Sequence, residues 1–256
     1  MALASFDFAI AIGGEAGQGI ATPGDILARI FVRRGLHLNT YNAYQSIIRG
    51  GHIFLYVRVC DQEIHTHGDK LDLLVCLNQD TMDRHLQLMG PGSTVLYNGD
   101  NITPGEAADG VQMCPLPVAE LSNTRNRLSQ NTMAVGSAAY LLGLDFEVLE
   151  ESLTLRFQRQ GQAVIDENVG VARAGYDHAV ANFKAFAQTV PTGPKPLAVW
   201  SGNDALAMGG AAAGVKFYAA YPMSPATGVL HWMAQNARNL GIMVRQVEDE
   251  IGVANM

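Results

Sequence analysis

The chain has 256 residues, of which 48% are hydrophobic and 16% are charged, and its formal net charge is −7. This composition is typical of one large or two ordinary globular domains, and it excludes an intrinsically disordered chain. The acidic balance, with no cluster of Lys and Arg, argues against nucleic acid as a partner.

The cysteines and the apolar runs further narrow the class of protein to which the chain could belong. Cys60, Cys76 and Cys114 form no CxxC pair, which predicts buried, reduced thiols in a cytoplasmic protein and no iron–sulfur or zinc site on this chain. No apolar run is long enough to predict a membrane span, and the N-terminus lacks the basic start of a signal peptide. We therefore expect no membrane partner.

The first 116 residues alternate between short apolar strands and helices. DFAIAIGG, residues 7–14, is nearly continuous in apolar residues, as in a strand buried on both faces. GIATPGDILARIFVRRG follows with helical spacing, so the start of the chain predicts a βαβ unit. Further strands are predicted at LHLNTY, HIFLYVRV, LDLLVCLN, STVLYN and GVQMCPL, with a helix at TMDRHLQLMG. This order predicts an α/β domain with a largely parallel sheet.

The second half of the chain changes character twice. Residues 117–190 consist mainly of helical runs, and VPTGPKP, residues 190–196, has the proline content of a semi-rigid linker. A new pattern of helix, strand, helix and strand then leads into a last helix that begins at EDEIGVANM. Because about 60 residues with an unfinished sheet are marginal alone, we expect the chain to be a fragment or to continue. The predicted division is a domain at 1–190, a linker at 191–201 and an incomplete domain at 202–256.

The sequence GGEAGQGI, residues 13–20, lies at a predicted strand-to-helix junction. Gly14, Gly17 and Gly19 would let backbone N–H groups approach an anion at the helix N-terminus. The spacing differs from the GxGxxG fingerprint and no acid ends the second strand, so NAD binding is not expected. A tight turn that packs the helix on the sheet and a site for a phosphate-bearing ligand such as coenzyme A both remain open.

A second group of polar residues surrounds the third strand. Arg49 in SIIRGGH could clamp a carboxylate or phosphate, anchor a subunit contact or lie on the plain surface. His52 is interpreted as structural, because the sequence gives it no partner. His65 and His67 in HTHGD supply only two ligands on one face, which favours a polar hairpin over a metal site.

The stretch YPMSPAT, residues 221–227, joins a predicted strand to a predicted helix. Its two prolines should hold Tyr221 and Ser224 extended. Three acids at 248–250 crowd the start of the next helix, where a solvated cap explains them unless one carboxylate is buried. Both segments should lie at the carboxyl ends of strands in one βαβ unit, the edge where open α/β sheets bind ligands.

Together these motifs resemble 2-oxoacid:ferredoxin oxidoreductases of the type in which a γ-type domain is fused ahead of the α, or pyrimidine-binding, domain. GGEAGQGI with SIIRGGH resembles the γ-type domain, over about residues 5–188. GNDALAMGGAAAGVKFYAAYPMSPAT with QVEDEIGVANM resembles the opening of the α domain. The resemblance implies an α/β fold in which a γ-type α/β domain precedes the start of a thiamine-diphosphate pyrimidine-binding α/β domain.

The resemblance also implies roles for individual residues. Glu250, the last acid of its run, would contact N1′ of the aminopyrimidine of thiamine diphosphate, with Pro222 beside the cofactor. Ser224 stands where the family usually has threonine and would bind the substrate together with Tyr221 and Thr227. The GGEAGQG glycines and Arg49 would lie near a subunit interface or near coenzyme A.

The family's other components are not expected on this chain. The resemblance places Mg²⁺ and a [4Fe–4S] cluster on a β subunit, with ferredoxin as electron acceptor, in a heterodimer or dimer of heterodimers. The implied reaction converts a 2-oxoacid, with 2-oxoglutarate favoured, to its acyl-CoA, or the reverse. The alternatives are a pyruvate or branched-chain/aryl 2-oxoacid oxidoreductase subunit, another thiamine-diphosphate enzyme half such as a transketolase-like subunit, and a CoA- or nucleotide-binding regulatory module.

Overall fold

A computed structural model describes residues 5–43, 50–122 and 127–256. The chain divides into two compact units, unit 1 of residues 1–198 and unit 2 of residues 199–256. The domain limits predicted from the sequence, 1–190 and 202–256, differ slightly from this division and remain a prediction. Within the described ranges, no helix combines the length and the apolar content needed to cross a membrane.

Unit 1 is built on a six-stranded sheet with helices on both faces. Its strands are β1 Asp7–Ala16, β2 His37–Ala43, β3 Gly50–Cys60, β4 Leu73–Cys76, β5 Thr94–Asn98 and β6 Gln112–Leu116. Its α-helices are α1 Ala21–Arg33, α2 Gln79–His85, α3 Val118–Leu121, α4 Arg127–Leu141, α5 Phe146–Phe157 and α6 Gln162–Asn182. Short 3₁₀ helices follow α2 at Leu86–Leu88 and α5 at Gln158–Gln160.

The strand order is β2-β3-β1-β4-β5-β6. Strands β1, β4, β5 and β6 pair in parallel, whereas β3 is antiparallel to both β1 and β2. The largely parallel sheet is therefore confirmed. The predicted βαβ start is present, since β1 and β2 run in the same direction in one sheet, and β3 lies between the two strands. Strands β2 and β3 are close in sequence, and such neighbours can pair antiparallel through a short connection.

The sheet is covered on both faces by apolar residues. Along β1, Ile10 and Ile12 face a core that includes side chains of α1, α4 and α5, while Ala9 and Ala11 face a second core that includes Met82 of α2. This two-sided burial explains why β1 is an almost unbroken apolar run, as its sequence predicted. Cys60, Cys76 and Cys114 are buried free thiols, again as predicted.

Helices α4 and α6 cross at glycines. A side chain at Gly136 would collide with the carbonyl of Ala172, and one at Gly175 would collide with the carbonyl of Met133. The Ser137 hydroxyl donates to the Gly175 carbonyl at 2.7 Å, which satisfies a polar group at this contact. The close approach of the two backbones therefore depends on hydrogen atoms in place of side chains.

Strand β6 is the last strand of the sheet in the described part of the chain. The backbone N–H of Gln112 donates to the carbonyl of Ser93, toward β5. Since successive residues of a strand point their N–H groups to opposite sides, Pro115 occupies a position whose N–H would point away from β5.

The proline-rich segment after α6 lies against α1. The N–H of Gly193 donates to the carbonyl of Arg34, and the N–H of Leu197 donates to the carbonyl of Val32. Gly35 has φ of +78° and lies in close contact with Gly193. The segment is thus fixed to unit 1 by its own backbone as far as Leu197.

Unit 2 contains a two-stranded parallel sheet and three helices. Its elements are α7 Gly202–Ala212, β7 Phe217–Ala220, α8 Thr227–Leu240, β8 Met243–Gln246 and α9 Glu250–Ala254. The start of α7 has a capping box between Ser201 and Asp204, and α8 ends at Gly241 in the left-handed region. A small core of Ala207, Val229, Met233 and Ile242 holds the unit together.

Candidate functional site

Two polar segments of unit 2 meet at one edge of its sheet. Strands β7 and β8 are parallel neighbours with Ala220 opposite Gln246, and the N–H of Val247 donates to the carbonyl of Ala220 at 2.9 Å. The turn after β7 and the acids after β8 therefore leave the sheet at the same, carboxyl edge. The sequence predicted this juxtaposition, and the strand register confirms it.

The turn itself is tied to the start of α7. Asn203 donates its side-chain amide to the carbonyl of Pro225 at 2.8 Å. The N–H of Thr227 donates to the carbonyl of Met223 at 3.0 Å, which opens helix α8. Ser224 lies between these anchors and is exposed, whereas Tyr221 precedes them and is partly buried. The turn thus presents a hydroxyl to its surroundings from a backbone held at two points.

The three acids at the start of α9 have different positions. Asp249 is the N-cap residue, and its carboxylate accepts a hydrogen bond from the N–H of Gly252 at 2.6 Å. Glu250 is the first residue of the helix, and Glu248, Asp249 and Glu250 are all exposed. The cap interpretation therefore holds for Asp249. Burial of the Glu250 carboxylate would need a surface beyond unit 2.

Unit 1 has a cavity of about 280 Å³ at the carboxyl ends of its parallel strands. We call it the amide-lined cavity, because most of its polar wall consists of carboxamides. The carboxamide and carboxylate residues that line it are Glu15, Gln18, Asn78, Gln79, Asn98, Asn101 and Asn131, and Tyr97 also lines it. Its described lining contains one carboxylate and no Lys, Arg or His. Cys76 also lines the cavity, and burial holds the pKa of its thiol far above the ordinary value, so the thiol stays protonated.

The glycine-rich loop forms one wall of this cavity and is closed by its own glutamine. Gln18 accepts a hydrogen bond from the N–H of Glu15 at 3.0 Å and donates to the carbonyl of Leu77 at 2.7 Å. Asn131 of α4 donates its side-chain amide to the carbonyl of Gln18. The side chain of Gln18 thus satisfies a loop N–H that an anion could otherwise bind.

The structure gives a separate reason for glycine at each of the three positions assigned to this loop. A side chain at Gly14 would meet the side chains of Gln18 and Ile20, so Gly14 makes room for the inward-folded glutamine. Gly17 and Gly19 have φ of +89° and +81°, values that L side chains rarely adopt. The tight-turn interpretation therefore describes this loop. The start of α1 nevertheless has no side-chain cap, and because Pro23 has no N–H, its uncapped donors are the N–H groups of Ala21 and Thr22.

The remaining site residues predicted from the sequence are Arg49 and three histidines. Arg49 lies outside the described residues. His52 has a partner that the sequence did not reveal, since its Nε2 lies 2.8 Å from Nε2 of His85. The imidazole Nδ1 of His67 lies 2.7 Å from the carbonyl oxygen of Gly68, and His65 is exposed. Across the described ranges, no group of three or more His, Cys, Asp or Glu side chains could hold a metal ion.

Sequence reasoning missed the carboxamides of the cavity and Asn203. A signal existed for part of them, since Asn78 and Gln79 follow β4 while Asn98 ends β5 and Asn101 follows it. Polar residues directly after parallel strands are expected to gather at one edge. Asn131 and Asn203 sit on helices, and their approach to loops depends on tertiary packing that no spacing shows.

Comparison with known proteins matches both units. Residues 9–178 match the family model of pyruvate ferredoxin/flavodoxin oxidoreductase. Residues 208–256 match the model of the thiamine-diphosphate-binding region of pyruvate flavodoxin/ferredoxin oxidoreductase. The two matches follow the chain in the order that the motifs predicted.

Individual relatives agree with this match. The 2-oxoacid:ferredoxin oxidoreductase 2 subunit alpha of Aeropyrum pernix is 24% identical over 97% of this chain and 48% of its own length. The chain spans about half the length of the curated relatives it matches.

Solved structures support the fold of each unit. The 2-oxoglutarate:ferredoxin oxidoreductase of Magnetococcus marinus, solved with 2-oxoglutarate, coenzyme A and succinyl-CoA bound, is 29% identical. It has a TM-score of 0.85 over 97% of this chain and 44% of that one. The keto/oxoacid ferredoxin oxidoreductase gamma subunit of Geobacter sulfurreducens has a TM-score of 0.60 at 21% identity, over 70% of this chain and 99% of that one, and supports the fold alone. The predicted fold class is confirmed.

Proposed function

Because the chain belongs to the pyruvate ferredoxin/flavodoxin oxidoreductase family, we propose that it acts as the α-type subunit, with a fused γ-type unit, of a CoA-acylating 2-oxoacid:ferredoxin oxidoreductase. The family resemblance drawn from the motifs is thereby confirmed. The activity of the whole enzyme, its substrate and its partners are the proposal. We expect a cytoplasmic heterodimer or dimer of heterodimers with a β subunit.

The observation that carries the proposal is the edge of the unit 2 sheet. The parallel register of β7 and β8 brings a proline-held hydroxyl, Ser224, and a helix-starting carboxylate, Glu250, to the same side. A 2-oxoacid enzyme needs a hydrogen-bond donor for the substrate and an acid–base group for the cofactor. The two residues supply these two kinds of group from one βαβ unit.

The residues of unit 2 fit one end of thiamine diphosphate. The exposed carboxylate of Glu250 suits the ring nitrogen N1′ of the aminopyrimidine. From the family resemblance, we assign Mg²⁺ and the [4Fe–4S] cluster to the β subunit. When bound, thiamine diphosphate supplies a nucleophilic carbon for the keto group and an electron sink for decarboxylation.

Glu250 would exchange a proton with N1′, and its position at the first residue of α9 suits that role. Its carboxylate is exposed at the carboxyl edge of the unit 2 sheet, where the ring nitrogen could approach it. Asp249 is already committed to the helix cap by its bond to Gly252. Pro222, just after β7, would lie beside the cofactor.

Substrate binding would use the turn before α8. The Ser224 hydroxyl would donate to the carboxylate or the keto oxygen of the 2-oxoacid, with Tyr221 and Thr227 beside it. Because Asn203 and the Met223–Thr227 bond hold the turn, little backbone freedom would be lost on binding. Serine keeps the donor but lacks the rotamer restriction of threonine.

Coenzyme A would bind at unit 1, near the amide-lined cavity and the loop that contains Gly14, Gly17 and Gly19. The uncapped start of α1 favours a phosphate group, and the carboxamides of the cavity favour the amides of the pantetheine arm. Arg49 is proposed for the same ligand from the family resemblance. The related Magnetococcus marinus enzyme was solved with coenzyme A bound, which supports this ligand class.

For the substrate we favour 2-oxoglutarate, which the same related enzyme has bound. Pyruvate and branched-chain or aryl 2-oxoacids are the alternatives. The ketoisovalerate oxidoreductase subunit VorA of Methanothermobacter thermautotrophicus, a relative at 28% identity over 68% of this chain, supports the branched-chain alternative.

Co-expression with the gene of the neighbouring β subunit tests the proposal. The purified complex should reduce a viologen dye when given a 2-oxoacid and coenzyme A, and a panel of oxoacids identifies the substrate. Decarboxylation without dye reduction would favour another thiamine-diphosphate enzyme half. A chain that binds coenzyme A but copurifies with no cluster-bearing subunit would favour a regulatory module.

A further inference from the structure

His52 of β3 and His85 of α2 form a partly buried pair with one hydrogen bond. Their Nε2 atoms are 2.8 Å apart, and the rings lie 4.9 Å apart between centroids. Phe54 packs against both rings. The His52 side chain is 8% exposed, and its Nδ1 has no hydrogen-bond partner among the described residues. An imidazole so enclosed, with one nitrogen unsatisfied, needs a reason beyond packing.

The geometry allows the pair to hold only a limited number of protons. At 2.8 Å one Nε2 must donate its hydrogen to the lone pair of the other. If both rings were protonated, two N–H groups would point at each other and two positive charges would repel, so the rings would have to separate. The paired state therefore exists only while at least one of the two imidazoles is neutral.

The surroundings favour the neutral state. Burial lowers the pKa of His52, although Asp80, whose carboxylate oxygen is 3.8 Å from its Nδ1, acts in the opposite direction. Burial also lowers the pKa of His85, and the charges of His52 and Arg84 add to that effect. Asp80 and Arg84 belong to α2 and form an ion pair at 2.7 Å. On the side of β1, the residue opposite His52 is Glu15.

His52 connects to the amide-lined cavity in three ways. Glu15, its cross-strand neighbour, lines the cavity. Asp80 lies in the first turn of α2, directly after the lining residues Asn78 and Gln79. His85 ends the same seven-residue helix. A change in the distance between the two imidazoles would therefore move the helix whose start forms the cavity wall.

We propose that the His52–His85 pair is a proton-sensitive clamp that positions α2 against β3 and so sets the shape of the amide-lined cavity. Above about pH 6.5, the ordinary pKa of histidine, both imidazoles are neutral and the clamp is closed; it opens only when both imidazoles are protonated. Because both folded-state pKa values lie below the ordinary value, the clamp loses stability as the pH falls below 6.5. The inference about ligand binding rests on the proposed function; the inference about the clamp does not.

Hydrogen exchange of the full chain at pH 7.5 and 5.5 tests the clamp directly. With labelling times scaled to the intrinsic exchange rate, the amides of α2 should exchange about tenfold faster at pH 5.5. This pH lies about one unit below the ordinary histidine pKa of about 6.5, and the opened pair can take up one more proton than the closed pair. Amides of α6, remote from the pair in sequence and packing, should not change. Equal protection of α2 at both pH values overturns the proposal.

The variant His85→Gln keeps a side-chain amide that can bond His52 and does not titrate. It should leave α2 protected at pH 5.5, while the exposed-site control His65→Gln should behave as the unmodified chain. An acid-induced opening of α2 that persists in His85→Gln would overturn the assignment to this pair.

Coenzyme A titrations of the same proteins separate the two proposals. The dissociation constant for coenzyme A should rise about tenfold between pH 7.5 and 5.5 in the unmodified chain, and it should rise less in His85→Gln. Protonation of the coenzyme A phosphates affects both proteins equally, so it cannot cause a difference between them. No binding at either pH would refute the coenzyme A assignment while the exchange result still decides the clamp. Equal pH dependence in both proteins would refute the link between the clamp and the cavity.

Discussion

The two units differ in how completely they bury their own apolar residues. In unit 1, both faces of the sheet are covered, and β1 contributes alternate residues to two separate cores. In unit 2, Leu206 is 67% exposed, Met243 is 58% exposed and Ile251 is 76% exposed. The cavity with a preformed polar wall lies in the self-sufficient unit, whereas the proposed catalytic carboxylate lies on the unit that leaves apolar surface uncovered. Burial of that surface, and of Glu250, therefore needs protein beyond this unit.

Separate production of the two units tests most strongly whether unit 1 folds alone and unit 2 does not. A chain of residues 1–198 should unfold cooperatively in urea, because its core is complete. A chain of residues 199–256 should unfold without a cooperative transition and bind a hydrophobic dye, since about 60 residues with a small core cannot offset their conformational entropy. Circular dichroism and dye fluorescence measure both. A sharp transition in the shorter chain would contradict the dependence of unit 2 on other protein.

Glu250→Gln tests whether unit 2 contributes the catalytic carboxylate. Loss of an acid–base carboxylate should lower kcat of the complex with the β subunit by a factor of about 10² to 10⁴. Viologen reduction measures kcat, and unfolding in urea checks that the fold is kept. Glu248→Gln, another exposed acid of the same segment, is the matched control and should change kcat little. Wild-type turnover in Glu250→Gln would remove this residue from the mechanism.

Gly175→Ala tests the completeness of the unit 1 core. The new methyl group would collide with the carbonyl of Met133, so the free energy of unfolding should fall by about 1–3 kcal/mol, the usual effect of overpacking. Gly170 of the same helix has open space around it, and Gly170→Ala should raise the free energy of unfolding by about 0.5–1 kcal/mol. Urea unfolding followed by circular dichroism gives both values. If the two substitutions had the same effect, the α4–α6 contact would be looser than described.

Ser224→Ala probes the proposed substrate contact at the exposed turn. The KM for the oxoacid should rise about tenfold, or about 1.4 kcal/mol, as for one hydrogen bond to a charged group. Ser224→Thr keeps the donor and should restore the KM, which steady-state kinetics of the complex measures. An unchanged KM in the alanine variant would exclude Ser224 from the substrate site.

Asp7→Asn, in unit 1, should have the smallest effect on the free energy of unfolding. Arg58 donates to both carboxylate oxygens of Asp7 at 2.9 and 2.7 Å, and this bond holds the pKa of Asp7 below its ordinary value. Because the pair is partly exposed, solvent screening limits its contribution to about 0.5 kcal/mol. A lowered carboxyl pKa stabilises the fold above the ordinary value of 3.8 and ceases to do so as the pH falls below it.

The difference between Asp7→Asn and the unmodified chain should therefore be full at pH 7 and smaller near pH 3, below the ordinary value of 3.8. Unfolding in urea at the two pH values measures it, and the exposed Asp109→Asn serves as the control. A difference of the same size at both pH values would exclude the ion pair as its cause.

The sequence predicted elements whose signal is local. The apolar run of β1, the cap at Asp249 and the shared edge of the YPMSPAT turn and the acids all follow from periodicity, capping and strand direction. The position of β3 between β1 and β2 could not be read in this way, because strand order depends on pairing between distant segments. The His52–His85 bond and the inward fold of Gln18 were missed for the same reason, since their partners are 33 and 59 residues away. Glu250 is a different case, because its environment depends on protein outside the unit.

Pro115 in the last strand of the sheet has a consequence for the behaviour of the chain at high concentration. An open strand edge is a template on which another molecule can add a strand and begin to aggregate. At Pro115 the outward N–H is absent, so an incoming strand would find a gap in the ladder and the proline ring in its path. The substitution Pro115→Val would complete that row of donors, and intermolecular strand addition at this edge would then become easier.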